Sequence, residues 1–123
     1  MILPLEKLVV SRELAEKMKG LGFPQETCFY WCPAWNGIKT ENYLIFVNAP
    51  MKQHPTQDRL AAPTSGEIGK LIPWHTILEK TETGIWECMF NNVNGDTYPA
   101  QCADTEAEAR GLMWCYLKER GLI

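Results

Sequence analysis

The sequence is poor in the residues that bind metal ions and in the spacing that would bring them together. Its 123 residues include two histidines and five cysteines, with no two cysteines three positions apart as in a CxxC pair. Zinc ribbons rely on such spacing and disulfide frameworks on an even number of cysteines, so both are disfavoured. We therefore expect free thiols that are mostly buried, and neither a metal nor a cofactor.

Long apolar runs and surplus positive charge are also missing. Beyond the first residues the apolar stretches are short, Tyr43 to Val47 and Leu112 to Leu117 being the longest, and both fall far below the ~20 residues of a membrane-spanning helix. Twelve Lys and Arg stand against fifteen Asp and Glu, for a formal net charge of −3, which offers no broad cationic surface for phosphate groups. We expect a soluble, cytoplasmic protein with no signal peptide, no membrane contact and no nonspecific binding of nucleic acid.

The overall composition is that of one globular domain. Hydrophobic residues make up 46% of the chain and charged residues 22%, close to globular averages. A chain of this length buries about two-thirds of its unfolded surface on folding. Residues 1–123 are therefore predicted to form one domain with one core.

The first half of the chain is predicted to contain a helix followed by a β-hairpin. Ser11 is a suitable N-cap for a short amphipathic helix that ends near Gly20 and Gly22. Cys28–Trp35 and Ile38–Val47 flank Asn36-Gly37, the strongest short hairpin signal. Both faces of the second strand are apolar, so we expect both to be covered, with a self-interface as one candidate cover.

The second half repeats this order with weaker signals. Asn48 to Leu60 is mostly polar and is predicted to be a loop. Thr64 and Glu67 have the spacing of a capping box that starts a short helix. Two strands, Trp74–Lys80 and Ile85–Phe90, are predicted next across a Thr83-Gly84 turn, with another short strand near Tyr98.

The last helix has the clearest signals. Thr105 and Glu108 form a second capping-box pattern, and Gly121 supplies the stop. Its predicted apolar stripe leaves Trp114 aside and consists of Ala109, Leu112, Met113, Tyr116 and Leu117. The fold class is thus α+β, in the order αββαββ(β)α, with one antiparallel sheet of four to five strands and the first and last helices packed on it.

No group of residues identifies a reaction. His54 or His75 could join a cysteine in a metal site or as a general base, but the sequence does not show that they converge. The nearby acids also lack a predicted cleft in which two carboxylates would act together. We assign no catalytic, cofactor-binding or metal-binding residue.

Tryptophan is the one excess, with five in 123 residues. Flat aromatic rings are favoured in cores and also at recognition surfaces. Trp35 adjoins the predicted hairpin turn, Trp31 shares its strand face, and Trp74 follows Pro73 directly from a loop. We predict Trp31, Trp35 and Trp74 as partner contacts; the alternative is that all three are packed inside.

Three segments also carry a resemblance to known proteins. They are the Leu-Gly-Phe-Pro-Gln turn at 21–25, the Arg-Leu-Ala-Ala-Pro-Thr helix start at 59–64, and the Thr-Glu-Ala-Glu-Ala-Arg helix start at 105–110, which runs on to Trp114. This arrangement resembles small uncharacterised proteins encoded by bacteriophages and prophages, and it covers nearly the whole chain. The resemblance implies an origin and a location inside a bacterial host cell, and it assigns no activity or ligand.

Three functions from different classes follow from these features. The first is a non-enzymatic module that acts through protein contacts, either with a partner or as a homodimer. The second is a small enzyme or metal protein that uses His54 or His75 with a cysteine, which would be Cys28, Cys88, Cys102 or Cys115. The third is a nucleic-acid accessory protein, which requires the basic residues of the first half to gather on one face: Lys7, Arg12, Lys17, Lys19, Lys39, Lys52 and Arg59.

Overall fold

The computed structural model describes residues 4–32, 43–46, 60–73, 76–90 and 98–123. In these parts of the chain the helices are α1 (Arg12–Gly20), α2 (Ser65–Gly69) and α3 (Glu106–Glu119), with a 3₁₀ turn at Leu5–Lys7. The strands are β1 (Phe29–Cys32), β2 (Tyr43–Phe46), β3 (Leu60–Ala61), β4 (Thr76–Lys80), β5 (Trp86–Phe90) and β6 (Gln101–Ala103). The predicted α+β class is confirmed. None of the helices in these described ranges is long and apolar enough to cross a bilayer.

The strands form two sheets, so the prediction of one four- to five-stranded sheet is wrong. The described strands pair in the orders β2-β1-β3 and β4-β5-β6, and every pair is antiparallel. The reason lies in β3, which was assigned to the end of a loop. It pairs Ala61 with Tyr30 and Leu60 with Trp31. It therefore occupies the second edge of β1, where β4, β5 or β6 would otherwise have paired to give a single sheet.

The first sheet contains the predicted hairpin pair. β1 and β2 align Trp31 with Leu44 and Phe29 with Phe46. Tyr30 and Cys32 are buried, while Trp31 is half-buried. The Asn36-Gly37 turn and most of the predicted loop from Asn48 to Leu60 lie outside the described residues, as do the side chains needed to test whether both faces of β2 are covered.

The second sheet confirms the meander predicted from turn signals. β4 and β5 pair across the Thr83-Gly84 turn, with Leu78 opposite Cys88, and Gly84 has the positive φ of 88° that glycine tolerates best. β6 begins at Gln101, three residues after the predicted position at Tyr98.

Helix α1 begins and ends where the sequence indicates. The Ser11 hydroxyl accepts a hydrogen bond from the Leu14 amide at 3.2 Å, which is the expected N-cap. Gly22, with φ at 94°, follows the C-terminus. Leu14, Ala15 and Met18 are buried and turn the helix towards the core.

Helix α3 lies at the centre of the core, and its buried surface is wider than the predicted stripe. α1, α2, β5 and β6 all pack against it. Leu112 and Tyr116 are only half-buried, whereas Trp114 is 3% exposed with its ring centroid 5.0 Å from that of Phe23. Neighbours on several sides bury positions that a single stripe would leave in solvent. The predicted stripe, which did not include Trp114, is therefore too narrow.

The crossing of α1 and α3 depends on a glycine. A Cβ atom at Gly111 would lie 2.7 Å from Leu14 Cδ2 and 2.9 Å from Val10 Cγ1. Both neighbours are buried, so they have little room to move. Gly111 therefore allows the two backbones to approach more closely than any larger residue would.

Candidate functional site

A cleft of about 740 Å³ opens where several segments distant in sequence meet. The 3₁₀ turn forms one wall, and the first turns of α2 and α3 form another. The ends of β4 and β5 nearest their connecting turn complete it through Lys80 and Trp86. Clefts of this size are common sites of ligand binding.

Two capping motifs set the helix starts at the cleft. The Thr64 hydroxyl accepts from the Glu67 amide at 3.2 Å, and the Glu67 carboxylate accepts from the Thr64 amide at 3.0 Å, so the predicted capping box is complete. The Thr105 hydroxyl likewise accepts from the Glu108 amide at 3.2 Å. Each cap fixes the direction in which its helix leaves the cleft wall.

The two glutamates of these motifs also tie the cleft walls to the rest of the fold. The second oxygen of Glu67 accepts from the Cys28 amide at 3.2 Å, just before β1. The sequence pattern predicted a capping box between Thr105 and Glu108, but Glu108 does not complete it. Its two oxygens instead accept from the Ser11 amide and the Ser11 hydroxyl, both at 2.7 Å. The start of α1 is thereby joined to the start of α3.

The cleft lining has an apolar part, which we call the floor, and a charged part, which we call the rim. Leu8 is 40% exposed there and Trp86 is half-buried, and Pro4 continues the apolar surface. Lys7 and Lys80 contribute positive charge to the rim, while Asp104 and Glu106 contribute negative charge. Lys80 Nζ lies 5.9 Å from the centroid of the Trp86 ring, a distance at which cation and ring attract each other.

A smaller depression of about 410 Å³ shares Lys7, Asp104 and Thr105 with the cleft. It extends past the N-terminus of α3 towards Ser11 and Leu112. The two together form a groove rather than a closed pocket. A groove with an apolar floor and rim charges of both signs can hold an extended chain that carries an apolar side chain between charged ones.

The structure places one of the three predicted contact tryptophans. Trp31 is half-buried against the core, and its indole nitrogen donates to the Val10 carbonyl at 2.9 Å. Trp35 and Trp74 lie outside the described residues, so their role as partner contacts stays a prediction. Trp86, which was not selected, lies in the cleft two residues after Gly84. Trp86 also follows a hairpin turn, and a position beside a predicted hairpin turn was the reason for selecting Trp35.

The cysteines are free, and three of them are buried: Cys32, Cys88 and Cys115. Burial raises the pKa of Cys88 and of Cys115 to about 11, although the charge of Arg110 opposes the shift at Cys88. Both thiols therefore stay protonated near neutral pH, and a thiol in that form is a poor nucleophile. Cys102, by contrast, is exposed.

The elements of the proposed cysteine and histidine site are not brought together in the described residues. His54 and His75 lie outside them. Within the ranges that are described, no three or more side chains of His, Cys, Asp and Glu form a group suited to a metal ion.

The basic residues of the first half are partly engaged with acids. Arg12 pairs with Glu16 at 3.1 Å, and Lys17 pairs with Glu119 at the same distance. Three of the other predicted members, Lys39, Lys52 and Arg59, lie outside the described residues. The described members therefore show no cationic face free of acidic neighbours, and the nucleic-acid hypothesis gains no support from them.

Comparison with known protein families, with curated proteins and with solved structures finds no match to this chain.

Proposed function

We propose that this chain is a non-enzymatic module of phage or prophage origin that binds another protein inside the bacterial host cell. The groove takes an extended segment of that partner, with an apolar side chain seated on Leu8 and Trp86. Charged residues on either side of this anchor meet the rim.

The observation that carries the proposal is the combination of an apolar floor with rim charges of both signs. Leu8 is 40% exposed and lines the cleft together with Pro4 and Trp86, and contiguous exposed apolar surface is typical of a contact site. Lys7 and Lys80 accompany Asp104 and Glu106 on the rim, and the smaller depression adds Glu6 and Glu108. Charges of both signs with an acidic excess favour a peptide that carries both charges over a polyanion.

The state of the thiols supports binding over catalysis. The raised pKa values of Cys88 and Cys115 remove two of the four cysteines named in the enzyme hypothesis from nucleophilic chemistry near neutral pH. Among the described residues, those that line the groove include neither a cysteine nor a histidine.

The test is a selection of twelve-residue peptides from a random yeast-displayed library on the purified full chain. We expect the enriched peptides to carry an aromatic or branched aliphatic residue with an acid and a base near it. In NMR titrations they should shift the indole N–H resonance of Trp86. Affinity should fall at least tenfold in Leu8→Glu, because a carboxylate would then occupy the apolar floor.

Leu71→Glu is the matched control. Leu71 is 42% exposed, a fraction similar to that of Leu8, and it does not line the groove. This variant should therefore bind the selected peptides as the wild type does. Circular dichroism would verify that both variants fold. A library that yields no binder, or peptides that leave Trp86 unshifted and bind Leu8→Glu normally, would overturn the proposal.

A further inference from the structure

The second sheet has an outer face that the groove does not use. Cys88 and Phe90 of β5 are buried towards α3. Glu87 and Met89 alternate with them along the strand and therefore point to the opposite side of the sheet. The register places Ile77 opposite Met89, Glu79 opposite Glu87, and Glu87 opposite Cys102. We call these five residues the outer patch.

The outer patch is open to solvent. Ile77 is 45% exposed, which is high for an isoleucine in a paired strand, and Glu79 and Cys102 are exposed as well. Glu87 and Met89, on the central strand, are half-buried between their neighbours. An apolar row, Ile77 with Met89, thus lies beside an acidic row, Glu79 with Glu87.

The acidic row is unfavourable in the isolated chain. Residues directly opposite each other in antiparallel strands have Cβ atoms about 4.5–5.5 Å apart, and like charges in such pairs destabilise a sheet. In the described part of the chain the ion pairs are Arg12 with Glu16 and Lys17 with Glu119, and no basic side chain neutralises Glu79 or Glu87. A cation from outside would relieve this repulsion.

The charge of the outer patch selects among possible occupants. A second copy that packed the same face against itself would bring four carboxylates together, and a nucleic acid would add phosphates to them. A basic side chain from another protein fits instead. Arginine suits the site best because its planar guanidinium bonds two carboxylates at once and its aliphatic stem packs on Met89.

The spacing of the two rows further defines the partner. They are two residues apart along β4 and β5, which is about 6.6 Å at ~3.3 Å per residue. In an extended segment the side chains that face one side are also two residues apart. An arginine above the acidic row therefore places the residue two positions away above Ile77 and Met89.

We propose that the outer patch binds an extended basic segment of a partner protein with the pattern Arg-x-apolar. This contact goes beyond the proposed function because it lies on a different face from the groove and takes a differently charged ligand.

The experiment uses two ten-residue threonine-rich peptides, one with Arg and Ile two positions apart and one with Glu in place of that Arg. Binding to the full chain is measured by NMR titration at low ionic strength and again with added salt. We expect the Arg peptide to shift the amide resonances of β4 and β5, to bind more weakly as salt screens the charges, and to slow the reaction of Cys102 with a thiol reagent. The Glu peptide should not bind.

The deciding variant is Glu79→Gln with Glu87→Gln, which keeps the side-chain shape, removes the repulsion and should fold. Affinity for the Arg peptide should fall at least tenfold in this variant. It should be unchanged in Glu82→Gln, an exposed acid in the adjoining turn. Equal binding of both peptides, no binding of either, or full binding by the double Gln variant would overturn the proposal.

Leu8→Glu separates this contact from the groove. It should bind the Arg peptide as the wild type does. If Leu8→Glu abolishes binding while the double Gln variant retains it, the basic segment belongs to the groove. The outer patch then has no such role, and the proposed function stands.

Discussion

Helices α2 and α3 begin with the same Thr-x-x-Glu pattern, and the structure uses the two glutamates differently. Glu67 closes its own capping box with Thr64 and also reaches the Cys28 amide. Glu108 leaves its box open and binds Ser11 of α1. A capping pattern therefore predicts where a helix starts, while the partner of its glutamate depends on which donor the tertiary fold brings nearest.

The two helices also differ in what keeps them helical. α2 has five residues and relies on its cap and on Arg110, whose guanidinium donates to the Ser65 carbonyl at 2.8 Å. α3 has fourteen residues, seven of them buried. Isolated helices shorter than about 12 residues are marginal in water. We therefore expect α2 to depend on α3 for its stability.

The largest effect is expected from shortening a core side chain of α3. Leu117 is fully buried, so Leu117→Ala should lower the free energy of unfolding by about 2–5 kcal/mol. Leu112 is half-buried, and Leu112→Ala should cost clearly less. Urea unfolding followed by circular dichroism measures both. Equal midpoints for the two variants would mean that the buried face of α3 is wrongly assigned.

The next effect compares the two glutamates. Glu108→Ala removes two hydrogen bonds of 2.7 Å to Ser11, and bonds to a charged group contribute about 1.5–3 kcal/mol when partly buried. Glu67→Ala removes longer bonds of 3.0 and 3.2 Å and should cost about 1 kcal/mol. Glu106→Ala, in the same turn as Glu108, is the control and should lie within about 0.5 kcal/mol of the wild type. The comparison fails if Glu67→Ala proves the more damaging substitution.

The smallest effect differs in sign between the two helices. Gly111→Ala places a methyl group 2.7 Å from Leu14, and such overpacking costs about 1–3 kcal/mol, offset by about 1 kcal/mol of helix propensity. At Gly66 the nearest atom is 4.0 Å away, so Gly66→Ala should stabilise by a few tenths to about 1 kcal/mol. Thermal unfolding of both variants, with the wild type alongside, measures these shifts. A gain at Gly111 would show that Leu14 and Val10 can move aside.

Local signals predicted the elements of this fold well. Ser11, Thr64 and Thr105 each cap the helix that the sequence assigned to them, because capping depends only on residues within one turn. The Thr83-Gly84 turn likewise joins two strands that pair as predicted. The two-residue strand β3 was missed because it is too short for any periodicity, and its pairing with β1 is a long-range choice.

The candidate site was much less predictable. Leu8, Trp86 and Ala107 come from three segments that no local pattern connects, and they meet only because α3 packs between the sheet and α1. The role of Gly111 was not predicted either, because it depends on the close approach of Leu14 from another helix. Trp86 alone carried a usable signal, which was its position directly after a hairpin turn.

The bond between Ser11 and Glu108 also bears on how the protein is made. Ninety-seven residues separate the two partners, and a ribosome that adds roughly 5–20 residues per second needs about 5–20 s to produce them. During that time the growing chain holds Val10, Leu14 and Met18 without the helix that covers them. The first helix must therefore remain unaggregated until the last one emerges.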